Sequence, residues 1–150
     1  MSDDLTGLDD IEFRRSEAEY GYFCGQGSAP CVEVVINGVE LTRLWDEADD
    51  SGVLALEAVD AGDDLSIWGP YHPSPGPLAE VPPGFVPVVT CGCGNFGCGG
   101  GYARISFLPE LVEWYDFRRV TGDRPIGIGS FTFDREQYEF ARLAASQIDL

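Results

Sequence analysis

The sequence predicts an α+β fold, in which a mostly antiparallel sheet, built from a hairpin and a meander, is covered by a C-terminal capping helix. Three observations support this class. Short runs of alternating apolar and polar residues recur between turn residues, a pattern typical of antiparallel strands. The pair Asn37-Gly38 supplies the positive φ angles of a two-residue hairpin turn. A capped amphipathic segment over residues 131–147 predicts the helix.

The chain of 150 residues has the length of one domain with its own core. Residues 1–23 form an acidic lead-in, which we expect to be loosely ordered and to add one strand or a short helix. Most of the ten prolines fall in the segment 69–87, which predicts a stiff surface loop. The meander and the helix occupy residues 85–147.

Residues 31–47, CVEVVINGVELTRLWDE, allow two interpretations. Strand alternation before Asn37-Gly38 favours a hairpin as the first choice. The alternative is a strand followed by a short helix, because one helical face would collect Leu41, Leu44, Trp45 and Ala48. Residues 53–59, VLALEAV, predict a further strand.

Three later runs, 85–91, 101–107 and 111–117, predict the strands of the meander. In the helix that follows, Asp134 is the expected N-cap and Gln137 completes a capping box. Phe133 and Tyr138 are spaced for a hydrophobic staple. The predicted buried stripe consists of Tyr138, Ala141, Ala145 and Ile148. We interpret this helix as a packing element without chemistry of its own.

Charge is the strongest compositional signal. The chain has 26 acidic residues against nine arginines and no lysine, a net charge of −17. Residues 1–64 hold 17 of the acids and three arginines, a local net charge of −14. Such a field disfavours nucleic acid and anionic membranes as direct partners and favours a basic protein. The alternative is that the acids serve solubility alone.

The N-terminal sequence MSDDLTGLDD is acidic, unlike a secretory signal, and no apolar run approaches the length of a membrane helix. We therefore expect a cytoplasmic protein. In that compartment the five cysteines are expected to be thiols or metal ligands rather than disulfides.

Three of these cysteines, Cys91, Cys93 and Cys98, lie in the glycine-rich run TCGCGNFGCGG at 90–100. They could supply three sulfur ligands to Zn²⁺, with the fourth ligand coming from Cys24, Cys31 or His72. The favoured alternative is a tight turn with small packed thiols and no cofactor. A nucleophilic thiol is the third reading, with His72 as the single candidate base and Arg104 as a local positive charge.

The block from about 86 to 143 resembles a group of small bacterial proteins of uncharacterised function. The resemblance is carried by CGCGNFGC at 91–98, WYDF at 114–117 and FTFDREQY at 131–138. Gly99 stands where these proteins often have an aromatic residue, and RRVTGDR at 118–124 lacks the histidine that they often have there. The resemblance implies a shared fold and no activity.

These observations predict a non-enzymatic, acidic interaction module of the bacterial cytoplasm. Its most concrete form is an immunity or inhibitor protein that neutralises a basic toxin or nucleic-acid-binding protein. The alternatives are a small zinc-binding module and a thiol enzyme. The residues predicted to bind the partner are Asp46, Glu47, Asp49, Asp50, Asp60, Asp63 and Asp64, with Trp68 as an exposed aromatic anchor.

Overall fold

Antiparallel strands and a C-terminal helix make up most of the fold, which confirms the predicted α+β class. A computed structural model describes residues 8–20, 27–49, 53–57, 65–70, 81–82, 84–90 and 99–146. Its strands pair in the order β1-β2-β4-β5-β6-β7-β8, with β3 beside β2 and β9 beside β7.

The first two strands, β1 (Ile11–Tyr20) and β2 (Gly27–Ile36), pair along their full lengths. The lead-in over 1–23 adds one strand, as expected, and over Ile11–Tyr20 this strand is regular and fully paired rather than loosely ordered. Ile11 and Phe13 face the core, while Glu12 is exposed between them. This alternation is the strand signal that the acidic composition obscured.

Both interpretations of residues 31–47 are partly correct. Asn37 and Gly38 have φ angles of 53° and 81° and turn the chain into the two-residue strand β3 (Val39–Glu40). The helix α1 (Leu41–Asp49) follows at once and buries Leu41 and Trp45. The carboxylate of Glu33 accepts hydrogen bonds from the Thr42 hydroxyl, at 2.8 Å, and from its backbone N–H, at 3.5 Å. Glu33 thus accepts from a backbone N–H in the first turn of α1 that has no partner within the helix.

The central strands are β4 (Leu54–Glu57) and β5 (Val86–Thr90), joined through a short 3-10 helix at Ser66–Trp68. Most of the predicted Pro-rich loop, residues 71–80 and 83, lies outside the described residues. The predicted strand at 53–59 is confirmed over four residues.

The meander is confirmed by β6 (Gly101–Phe107) and β7 (Leu111–Arg119), which follow β5 as antiparallel neighbours. The register shifts by one residue where β7 passes Ala103, and Asp116 there has a φ of 56°. After a 3-10 turn at Thr121–Asp123, the short strands β8 (Arg124–Pro125) and β9 (Phe131–Asp134) return to β7.

The sheet closes on itself through Asp9, which forms a parallel bridge with Phe133 in β9. The Asp9 N–H donates to the Thr132 carbonyl at 2.7 Å, and the Asp9 carboxylate accepts from the Thr132 N–H at 2.8 Å. This contact joins the first strand of the sheet to its last.

The C-terminal helix α2 (Arg135–Ser146) begins as predicted. Asp134 accepts a hydrogen bond from the Gln137 N–H at 2.9 Å, and the staple brings the rings of Phe133 and Tyr138 to 5.9 Å. The capping box is only half formed, because the Gln137 side chain donates to the Ile11 carbonyl instead of reaching back to the cap. Tyr138 and Ala145 of the predicted stripe are buried.

An aromatic cluster fills the space between the sheet and α2. Phe13 stacks on Trp68 with ring centroids 5.3 Å apart and meets Tyr138 edge-on at 5.6 Å. The Tyr138 hydroxyl donates to the Trp68 carbonyl at 2.6 Å and accepts from the Trp114 indole N–H at 3.2 Å. The cluster therefore fixes α2 against both ends of the sheet.

Candidate partner-binding surface

The acidic residues predicted to bind a partner have different environments. Asp50, Asp60, Asp63 and Asp64 lie outside the described residues. Asp46 and Asp49 are on α1 but serve local structure: Asp46 accepts from the Val53 N–H at 3.4 Å, and the Asp49 side chain is only 6% exposed.

Asp49 is held by two arginines from the far side of the sheet. Its carboxylate contacts the Arg124 guanidinium and lies 3.6 Å from that of Arg119. Glu47, by contrast, is 63% exposed and forms a solvent-facing pair with Arg43 at 3.5 Å. Of these three α1 acids, Glu47 is exposed, Asp46 is half-buried and the Asp49 side chain is buried.

Trp68 is not an exposed anchor, and this prediction is wrong. Its side chain is completely buried, and its indole N–H donates to the Pro87 carbonyl at 3.0 Å. The ring stacks on Phe13, and this contact places Trp68 in the core.

Four of the five cysteines, Cys24, Cys91, Cys93 and Cys98, lie outside the described residues, as does His72. Cys31 is buried on β2, 3.3 Å from the Ser16 hydroxyl, and burial raises the pKa of its thiol. Among the described residues, no group of three or more acidic, histidine or cysteine side chains could hold a metal. The zinc and thiol hypotheses stay predictions.

Arg104, the positive charge considered beside the cysteine loop, belongs to a compensated network. It lies over the Phe85 ring at 4.2 Å and shares Asp116 with Arg118, at N–O distances of 3.2 and 2.8 Å. Burial alone would raise the pKa of Asp116, but the hydrogen bonds from the two arginines outweigh it and lower that pKa. On this face the positive charges are matched by acids.

The outer face of α2 is different, since it exposes apolar side chains. Phe140 is 75% exposed and Leu143 is 47% exposed, and the exposed Ala144 lies one turn after Phe140. We call these three residues the outer helix face. A single exposed apolar side chain is common on protein surfaces, whereas adjacent ones that form a contiguous patch can mark an interaction site.

A groove separates α2 from β1, next to the outer helix face. It has a volume of about 380 Å³ and is lined by Asp10, Ile11, Glu12, Phe13, Gln137, Phe140, Ala141, Ala144 and Ala145. Its wall on the helix is apolar apart from Gln137. Asp10 and Glu12 line its strand side, and the Glu12 carboxylate is paired with Arg14 at 3.1 Å. We call this cavity the helix groove.

A second cavity, the acidic pocket, lies at the start of α2 and has a volume of about 730 Å³. Its charged lining residues are Glu110, Asp134, Arg135, Glu136 and Glu139. Arg135 is turned toward the β6–β7 connection, where it donates to the Leu108 carbonyl at 2.9 Å and lies over the Phe107 ring at 5.5 Å. The pocket therefore has an excess of carboxylates.

Sequence reasoning missed this surface because it treated α2 as a packing element. The sequence did contain the signal. Phe140 and Leu143 lie outside the predicted buried stripe of Tyr138, Ala141 and Ala145, so these large apolar residues are placed on the solvent side of the helix.

Comparison with protein-family models, curated proteins and solved structures finds no match in any of the three. The resemblance to uncharacterised bacterial proteins therefore stays a prediction. Within the described ranges, no helix is long and apolar enough to cross a membrane.

Proposed function

We propose that this protein is an acidic interaction module that binds a basic partner protein, and that it acts as an immunity or inhibitor protein against a basic toxin or nucleic-acid-binding protein. Binding, rather than catalysis, is the proposed activity. The observation that carries the proposal is the exposed Phe140, which lines the helix groove on the same helix whose first turns line the acidic pocket.

This arrangement suits recognition of a basic surface. An aromatic side chain at the centre supplies most of the binding energy when a partner removes it from water, and a polar rim supplies orientation. Asp10 and Glu12 line the same groove as Phe140, and Glu136 lies one helical turn before it. The net charge of −17 accelerates encounter with a cation.

The proposal changes the binding residues from α1 to α2. Glu47 remains available on α1, whereas Asp49 is occupied by arginines of the same chain. The exposed aromatic anchor is Phe140 in place of Trp68.

The test begins with purification of the tagged protein from its native host and identification of the proteins that co-elute. We expect a basic partner whose affinity falls at least tenfold between about 50 and 500 mM salt. Recovery of only neutral or acidic partners, or binding indifferent to salt, would contradict the proposal.

Matched variants then locate the surface. Phe140→Ser and Glu136→Gln change the α2 face, while Glu47→Gln changes an equally accessible helix carboxylate on α1. We expect the two α2 variants to weaken binding and Glu47→Gln to leave it unchanged. The opposite ranking would favour the surface predicted from sequence.

A further inference from the structure

The outer helix face forms a ridge along α2. Phe140 and Ala144 are one helical turn apart, and Leu143 lies beside them, three residues after Phe140. Phe140 is 75% exposed and Leu143 is 47% exposed. These apolar side chains therefore form one contiguous patch on a single helix, which is the kind of surface that marks an interaction site.

A hollow runs beside this ridge, on the side of β1. This hollow is the helix groove, and Ala141, Ala144 and Ala145 form much of its wall on α2. Helices pack by laying the side-chain ridge of one into the groove of the other, and small residues let the two helices approach closely. The outer face of α2 thus offers a ridge at Phe140 and a groove next to it.

The helix groove is a poor site for an extended segment. Helix α2 covers the facing edge of β1, because Ile11 and Phe13 are 2% and 3% exposed and the Gln137 side chain donates to the Ile11 carbonyl at 2.9 Å. An extended segment would place peptide groups against apolar side chains, where an unpaired N–H or C=O is costly. A helix pairs its own peptide groups, so a helix fits this surface better.

The two ends of the ridge differ in charge. Glu136, in the first turn of α2, is exposed, and no ion pair engages it within the described ranges. Glu110, which is also exposed, lines the acidic pocket together with Glu136. At the other end, residues 141–146 carry one charge, on Arg142, which pairs with Glu139 at 2.9 Å. The uncompensated negative charge therefore lies at the start of α2.

Resting on the proposed function, we propose that the basic partner contributes an amphipathic helix that packs antiparallel along the outer helix face. Its apolar stripe covers Phe140, Leu143 and Ala144, and its last turn carries arginine or lysine beside Glu136 and Glu110. In this orientation the positive end of the α2 dipole faces the negative end of the partner helix, and cations in a last turn are favoured by the dipole of their own helix.

A second copy of this chain fits the ridge less well. In an antiparallel pair of α2 helices, Glu136 would face residues 141–146 of the other copy, where the one cation, Arg142, is already paired. Two chains of net charge −17 also repel each other, so their association would strengthen as salt rises. Binding of a basic helix would weaken as salt rises, and this difference separates the two occupants.

The test uses two blocked synthetic peptides of one composition, both long enough to form a helix and both with leucine at every third or fourth position. The first peptide has its arginines in the last turn, and the second has them in the first turn. We expect the first to bind at least fivefold more tightly and to be helical when bound, as measured by the Cα chemical shifts of the labelled peptide.

A charge reversal removes the effect of the peptides' own helix propensities. Glu136→Lys should abolish the preference for the first peptide, because the arginines then meet a like charge at the start of α2. Glu47→Lys reverses an exposed carboxylate on α1 and is the matched control, which should leave the preference unchanged.

Spin labels on the first peptide report its orientation directly. A label at its C-terminal end should broaden the amide signal of Glu136 more than that of Ala144, because these residues lie about 12 Å apart along α2. A label at its N-terminal end should broaden Ala144 more than Glu136.

Equal affinities for the two peptides, a preference unchanged by Glu136→Lys, a bound peptide that stays extended, or no binding at about 1 mM peptide would each overturn helix packing. Self-association that broadens the Phe140 signal without peptide, and that strengthens with salt, would overturn it in favour of a second copy. The proposed function would survive these results if a basic partner still bound in a salt-sensitive way and Phe140→Ser still weakened it.

Discussion

The substitution Tyr138→Phe tests whether the aromatic cluster is held by its one shared hydroxyl. Tyr138 is completely buried; its hydroxyl donates to the Trp68 carbonyl at 2.6 Å and accepts from the Trp114 N–H at 3.2 Å. Burial raises the pKa of this phenol, so the hydroxyl stays protonated and keeps its role as a donor in neutral solution. Phenylalanine preserves the ring and removes only these two bonds.

The expected magnitude follows from the two groups left behind. A buried donor or acceptor that loses its partner costs about 1–3 kcal/mol, and here one of each is left unpaired. Because the two groups share one hydroxyl, their losses do not add in full, and we expect the free energy of unfolding to fall by about 2–4 kcal/mol. For a chain of this length, the melting temperature would fall by about 2–4 °C for each kcal/mol.

The assay is urea unfolding followed by tryptophan fluorescence, which reports directly on Trp68 and Trp114. Tyr115→Phe is the matched control, because the Tyr115 hydroxyl meets Ser106 at 3.1 Å in a part-buried position. The control should lose less than about 1 kcal/mol. A Tyr138→Phe variant no less stable than Tyr115→Phe, with an unchanged urea slope, would refute the reasoning.

Three further predictions concern other contacts. Gly101→Ala should lower the free energy of unfolding by about 1–3 kcal/mol, because a Cβ would lie 2.2 Å from the Trp45 ring. Gly127→Ala is the control and should be near neutral, because the space around that position is open. Equal urea midpoints for the two variants would contradict this prediction. Burial raises the pKa of Glu33 above its ordinary 4.5, so the folded state binds its proton more tightly and the charged form destabilises the fold near neutral pH. The stability advantage of Glu33→Gln over the wild type should therefore be largest at about pH 7 and shrink as the pH falls toward 4.5, and a difference that is flat in urea unfolding across this range would exclude the burial argument. Asp134→Ala should lower the free energy of unfolding by about 1 kcal/mol, because α2 loses its N-cap. Asp134→Asn keeps a capping oxygen and should cost less. Thermal melts in which Asp134→Asn is the less stable variant would show that the charge matters more than the cap.

Local signals in the sequence predicted most of the fold. The Asn37-Gly38 turn, the strands at 101–107 and 111–117 and the Asp134 cap were all found where expected. Each depends on the backbone preferences of a few neighbouring residues. At β1 the expectation of one strand or a short helix left the choice open, and the length and full pairing of the strand with β2 were not predicted.

The candidate surface was much less predictable. Trp68 and Phe140 are both large aromatic residues, yet the first is completely buried and the second is 75% exposed. Asp49 and Glu47 are neighbours on one helix, yet Asp49 is held by Arg119 and Arg124 while Glu47 faces solvent. In both pairs, the difference comes from a segment far away in the chain.

The sequence by itself determined the charge, the alternation of the strands, the hairpin turn and the start of the last helix, because these depend on each residue and its near neighbours. Only the tertiary structure decided which acids remain free, which aromatic residue faces solvent and that α2 covers the edge of β1 at Ile11 and Phe13. Exposure is set by what packs against a residue, and here α2 reaches β1 from more than 120 residues along the chain, with Gln137 bonded to Ile11. No local pattern around Phe13 carries that information.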